Sequence, residues 1–306
     1  MGKIIKGFKA FNKGLKCRDF QYEVGKEYKL NGDVKICSSG FHFCENPLDV
    51  LNYYDLIDSE FAAVETDGKI DKEKGQRDTK LASDKIKITA KLDLPMFIKA
   101  SFDFLWEQCS KKGKVSKKGD DVIASKTFAA QLASSGDSAQ LASSGDSAQL
   151  ASSGHSAQLA SSGHYAQLAS SGHYAQLASS GHSARLASSG HSARLASSGH
   201  SAQLASSGDS AQLASSGDSA QLASSGDSAQ LASSGDSAQL ELNGNTSVGA
   251  NIGYQGIIKG KKGSWITLAE YDQNYKVKFV LSAQIDGEKI KEDTWYKLEN
   301  EKFVAV

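Results

Sequence analysis

The chain has 306 residues, and its 35 Lys and Arg are balanced by 35 Asp and Glu. That length suits roughly two or three domains, and zero formal charge excludes a global pull toward nucleic acid or an anionic membrane. No apolar run approaches the roughly 18 residues of a membrane helix, and Met1–Lys6 carries no secretory signal, so Cys17, Cys37, Cys44 and Cys109 read as reduced thiols of a cytoplasmic protein.

Residues 1–110 have the composition of an α+β domain. Strands are predicted at Lys3–Phe8, Glu27–Leu30, Val34–Cys37, Gly40–Cys44, Glu60–Thr66 and Lys85–Leu92. Helices are predicted at Pro47–Tyr54 and Pro95–Cys109, each opening on a Pro that suits a first turn. Cys17, Cys37, His42 and Cys44 hold the donor set of a Cys₃His zinc site, with His42 and Cys44 on one strand face. No Cys-x-x-Cys knuckle accompanies them, and small thiols buried in a β core are the competing reading.

Three segments carry a resemblance. Lys6-Gly7-Phe8, Cys17-Arg18-Asp19-Phe20-Gln21-Tyr22 and Gly40-Phe41-His42-Phe43-Cys44-Glu45-Asn46-Pro47-Leu48-Asp49-Val50 resemble an uncharacterised family of bacteriophages and prophage regions. Its members are similar at both ends and carry variable short-repeat arrays between. The resemblance implies a bacterial host and no defined activity. A second likeness rests on element order: a strand with Gly, an aromatic strand, a short helix and a Val-Glu strand are similar to small ADP-ribosyltransferases. It places their His-Tyr-acid set at Lys6, at Phe41 or His42, and at Asp84. Lys6 stands where that family has His, and the Tyr is absent.

Residues 111–129 read as a basic, Gly-containing linker into the next segment. From Ala130 to Ser237 the nonamer Ala-Gln-Leu-Ala-Ser-Ser-Gly-Asp-Ser then recurs without a gap. Only places 2, 8 and 9 vary: Gln or Arg, Asp or His, Ser or Tyr. Period two in Ser-Ala-Gln-Leu-Ala sets the first Ala and the Leu on one side and the variable residues on the other. Ser-Ser-Gly follows as a turn, with Gly free to take φ > 0. One strand and one turn per nonamer predict coils of 18 residues closed by two strands, hence a parallel β-solenoid in which i and i+18 stack. A mobile Ser/Gly linker has no reason to fix a Leu every nine residues. The nonamer also resembles the calcium-binding β-roll repeat, but Ala stands where that repeat has its ligating Asp, so calcium is not implied. The solenoid is expected over 130–258, its last coils degenerate.

Place 8 is His in six successive nonamers. His155, His173 and His191 should form one column, and His164, His182 and His200 another, with neighbours about 5 Å apart. Tyr165, Tyr174, Arg185 and Arg194 lie in the same central stretch. These ten residues are the candidate partner-contact site; a transition metal shared between stacked imidazoles is the alternative, and no other cofactor is expected.

Residues 259–306 read as an antiparallel β cap with strands at Ser264–Glu270, Val277–Ala283, Thr294–Leu298 and Phe303–Val306, and Asp286-Gly287 as a hairpin turn. Asp286–Lys291 and Asp293–Tyr296 also resemble the phage family. The expected fold is therefore mainly β: a central parallel solenoid between an α+β domain and an antiparallel cap. The expected function is a non-catalytic structural or interaction protein that offers a rigid, His/Tyr/Arg-decorated surface to a protein or small ligand. Membrane and nucleic acid are not expected partners. The alternatives are a metal- or ligand-binding module through the His columns, and a degenerate ADP-ribosyltransferase-like enzyme in residues 1–110.

Overall fold

The structure, a computed structural model, describes residues 4–73, 78–112, 114–116 and 122–306. It divides into two compact units, Met1–Phe104 and Leu105–Val306, and the division falls inside the helix Leu94–Lys112.

The first unit is built on a seven-stranded antiparallel sheet, in the order Glu27–Lys29, Lys85–Leu92, Glu60–Thr66, Ile5–Phe11, Phe41–Cys44, Lys80–Ser83, Ile70–Asp71. Its apolar side chains, among them Phe11, Phe43, Val64, Leu81, Ile86 and Ile88, are buried together. Gly7 in the first strand is set by contact: a β-carbon there would fall 2.4 Å from the Phe43 ring and 2.7 Å from the Cys44 carbonyl oxygen. The predicted strand Val34–Cys37 does not form. Cys37 takes a left-handed backbone (φ 63) that reverses the chain, leaving one bridge from Lys35 to Ser39. The predicted helix at Pro47 is a six-residue 3-10 turn, Pro47–Asn52, whose Leu48 N–H is accepted by Asn46. Lys80–Ser83, Ile70–Asp71 and the small hairpin Lys16–Cys17/Phe20–Gln21 were not foreseen; strands of two to four residues are too short to show a period.

The second unit is the solenoid. Successive nonamers alternate between two parallel sheets. One is eleven-stranded with its last two strands antiparallel, the other ten-stranded with its last strand antiparallel. Stacking is at 18 residues, as the repeat predicts: Leu132 pairs with Leu150 and Leu150 with Leu168 on one sheet, Leu141 with Leu159 on the other. The first Ala and the Leu of each nonamer point inward, so Ala148, Leu150, Ala157 and Leu159 are at most 1% exposed. Each buried Leu contributes about 1.5–3 kcal/mol, too little to order one nonamer alone, so the ladder is what makes the coil stable.

Two expectations about the turn are corrected. The repeat glycines are absent from the left-handed region. Instead a β-carbon at each repeat glycine from Gly145 to Gly235, and at Gly244 and Gly253 in the coils beyond, would lie 1.8–2.1 Å from the carbonyl oxygen stacked 18 residues earlier. Glycine is required because successive backbones nearly touch. In six nonamers left-handed geometry falls instead on place 9, at Ser147, Tyr165, Ser201, Ser219, Ser228 and Ser237 (φ 53–58). The Ser at place 5 turns inward, and its hydroxyl accepts the N–H of the repeat Gly two residues on, at 3.1 Å in Ser134–Gly136 and Ser152–Gly154. The Ala at place 4 and the Ser at place 6, although invariant, share the parity of the variable positions. On the ten-stranded sheet both point outward, and they line a shallow groove of about 1090 Å³.

The ladder runs past both ends of the exact repeat. Of the expected linker at 111–129, residues 113 and 117–121 lie outside the described residues. Within the remainder, Lys114–Ser116 pairs in parallel with Gln131–Ser134, and Val122–Ser125 with Gln140–Ser143. At the other end Trp265–Tyr271 still pairs in parallel with Val248–Asn251 and then turns antiparallel to Val277–Gln284. Ile285, Ile290, Tyr296 and Leu298 join the solenoid's apolar core there, so the open end of the last coil is dry. Asp286-Gly287 makes a turn without making a hairpin. Asp286 Oδ1 accepts the N–H groups of Glu288, Lys289 and Ile290, while the strands on either side pair with other partners.

Candidate functional site

Place 8 lies at the corners of the coil, so alternate nonamers put it on opposite edges. His155, His173 and His191 stand where the chain passes from the eleven-stranded to the ten-stranded sheet, and His164, His182 and His200 where it returns. Both columns stack. Ring centroids are 5.4 Å apart for His155–His173 and 5.0 Å for His173–His191, and 6.0 Å for His164–His182 and 5.0 Å for His182–His200. Tyr174 sets its edge against His155 and His173 at 5.2 and 4.5 Å, and Tyr165 lies 6.4 Å from His164. Below the first column the Asp209 carboxylate meets His191 Nδ1 at 3.3 Å.

The sequence drift from Asp to His has a structural consequence. Where place 8 is Asp, its carboxylate can cap the backbone of the next coil: Asp146 accepts the N–H of His164, Asp218 that of Asp236, Asp227 that of Asn245 and Asp236 that of Tyr254. Where it is His, the ring stacks on its neighbour and its Nδ1 meets the adjacent Ser, as in His155–Ser156, His182–Ser183 and His200–Ser201. Arg185 belongs to the eleven-stranded sheet, where its Nε donates to Gln203 at 3.3 Å. Arg194 belongs to the ten-stranded sheet and is exposed. Nine of the ten candidate residues, the six His, the two Tyr and Arg194, are exposed on the two edges and the ten-stranded face, because nine residues advance the chain by half a coil; Arg185 is buried, at 5% exposure.

In the first unit Cys17, Cys37, His42 and Cys44 all line one cavity of about 800 Å³, but not as a metal site. Among the described residues no group of three or more His, Cys, Asp or Glu side chains is placed to hold a metal ion, here or along the His columns. His42 Nε2 accepts the Cys37 N–H at 2.9 Å, which requires a neutral ring. Burial, with Lys9 and Lys80 nearby, holds His42 below its ordinary value. Cys37 Sγ receives Lys80 Nζ at 3.1 Å, Cys17 Sγ meets the Tyr54 hydroxyl at 3.3 Å, and burial pushes the Cys44 thiol up. Phe41 and His42 line this cavity, while Lys6 and Asp84 do not, so the positions suggested by the ADP-ribosyltransferase likeness do not share it.

Sequence reasoning points to five residues of this cavity, Cys17, Cys37, Phe41, His42 and Cys44, but misses Lys9, which is 6% exposed. A lysine alternating with Gly7 and Phe11 on the buried face of its strand was the available signal. It also missed the outward Ala and Ser groove, which the parity of places 4 and 6 with place 2 would have indicated.

No helix among the described residues is long and apolar enough to cross a membrane. No curated protein and no solved structure matches the chain. Residues 5–100 match a family described as a domain of unknown function (DUF7666).

Proposed function

We propose that this chain is a non-catalytic interaction protein, phage-derived and working in the cytoplasm of a bacterial host, whose solenoid presents the central His/Tyr/Arg belt to a partner, with Arg194 rather than the buried Arg185 as its exposed cation. The observation that carries this reading is the pairing of a rigid 18-residue register with side-chain variation in the exact repeat confined to places 2, 8 and 9. Regular ladders hold the outward residues at fixed spacing, so recognition costs little ordering entropy. Aromatic and Arg side chains are the types that dominate contact energy, and here they occur only in the middle of the array. The resemblance of the flanking segments to phage proteins with variable repeat arrays supports a part that changes its partner surface by altering repeats.

The test is capture from the native host with the full chain. It is compared with a variant carrying Asp at the six His positions and Ser at Tyr165 and Tyr174, substitutions the array itself already uses. A partner retained by the first and lost by the second supports the reading. Equal capture by both overturns it.

A further inference from the structure

The cavity of the first unit contains a buried lysine that no described carboxylate pairs with. Lys9 projects from the strand Ile5–Phe11 and is 6% exposed. Its ammonium donates to the His42 carbonyl oxygen at 3.1 Å and meets Cys17 Sγ at 3.7 Å. It lies over the Phe11 and Tyr22 rings, 5.2 and 5.8 Å from their centroids. No described carboxylate pairs with it. One full-strength acceptor leaves an ammonium with three donors under-satisfied, and a buried charge is costly unless it is paired. Burial accordingly lowers the affinity of Lys9 for its proton.

The walls around Lys9 have two further characters. Arg18, on the exposed turn of the small hairpin, and Lys80 are also at the cavity, and among the described residues Asp19 is the single carboxylate lining it. One side is aromatic: Phe20 packs edge-on against Tyr22 and Tyr28 at 4.8 and 5.4 Å, yet remains 48% exposed. An excess of cations at one place and an unfinished aromatic cluster beside it match one ligand chemistry. We propose that this cavity binds a small organic anion bearing a flat ring, with its anionic group at Lys9 and Arg18 and its ring against Phe20. The volume of about 800 Å³ lies in the range of small-molecule sites. The ring-bearing anion could be a nucleoside phosphate or an aromatic carboxylate. This inference is independent of the solenoid's role, because the two compact units carry separate sites.

The experiment is calorimetric titration of the full chain with adenosine and uridine monophosphates and with 4-hydroxybenzoate, against inorganic phosphate and adenosine as controls. One of the ring-bearing anions should bind at least about tenfold tighter than either control; which of the two classes binds identifies the source of the anion. Lys9→Met should abolish that binding without lowering the melting temperature, since it removes a buried charge rather than a packed group. Arg18→Gln, on an exposed turn, should weaken binding by about tenfold and leave the fold intact. The proposal is overturned if no ring-bearing anion exceeds the controls, or if the Arg18 variant and a folded Lys9 variant bind as the parent chain does.

Discussion

Gly190 sits so closely over Gly172 that a β-carbon added to Gly190 would lie 1.8 Å from the Gly172 carbonyl oxygen. The same approach recurs at every coil and makes the repeat Gly a packing requirement. Gly190→Ala should therefore destabilise the solenoid by more than about 3 kcal/mol, because two stacked backbones must separate. By contrast Ser219, at φ 53, carries the left-handed strain that the repeat glycines do not. Ser219→Gly should stabilise by up to about 1 kcal/mol. Chemical denaturation of both variants checks the pair of signs, and a milder effect for the Gly190 variant than for an exposed surface change would refute the contact.

Removing whole repeats tests the coil. Deletion of 18 residues such as Ala166–Ser183 takes out one turn and keeps the two-sheet alternation, so the folded rod should persist, one coil or about 4.8 Å shorter. Deletion of nine residues puts every following nonamer on the opposite sheet and breaks the junction with the degenerate coils. Circular dichroism and scattering should show a cooperative fold for the first and a strongly destabilised one for the second; equal behaviour would rule out the two-strand coil.

Lys9 and His42 predict the pH response of the first unit. Both are held below their ordinary values in the folded state, chiefly by burial. The folded state thus binds fewer protons than the unfolded chain over the window between each folded value and the unfolded one. Stability then rises with pH in those windows, up to about 6.5 for His42 and about 10.4 for Lys9. Lys9→Met should be more stable than the parent at neutral pH, and the gap should close as pH approaches the ordinary lysine value. His42→Gln, measured between pH 5 and 7, should flatten the acid limb. A gap in the Lys9 comparison that widens with rising pH would show that the ammonium is stabilised in the fold.

The His columns make a direct prediction for metals. Their rings are 5.0–6.0 Å apart, and several Nδ1 atoms are already engaged by Ser. Zinc or nickel should therefore bind the full chain no more than about tenfold tighter than a variant with the six His replaced by Asp. Tight, stoichiometric uptake lost in that variant would instead establish the columns as a metal site.

Much of the solenoid was legible in the residues alone. An inward Leu every nine positions, a two-residue alternation and a turn that must close after two strands determine the 18-residue coil and the two stacked His columns. Local geometry repeated many times leaves little to long-range chance. The sequence could not show why Gly recurs, because φ freedom and backbone contact select the same residue, and only the stacked coordinates separate them. Nor could it show that Arg185 is buried while Arg194, on the opposite sheet, is exposed. The cavity in the first unit was least legible. Lys9, Arg18, Phe20, His42 and Lys80 come from separate strands and loops, and it is antiparallel pairing between segments far apart in the chain that brings their side chains to one place.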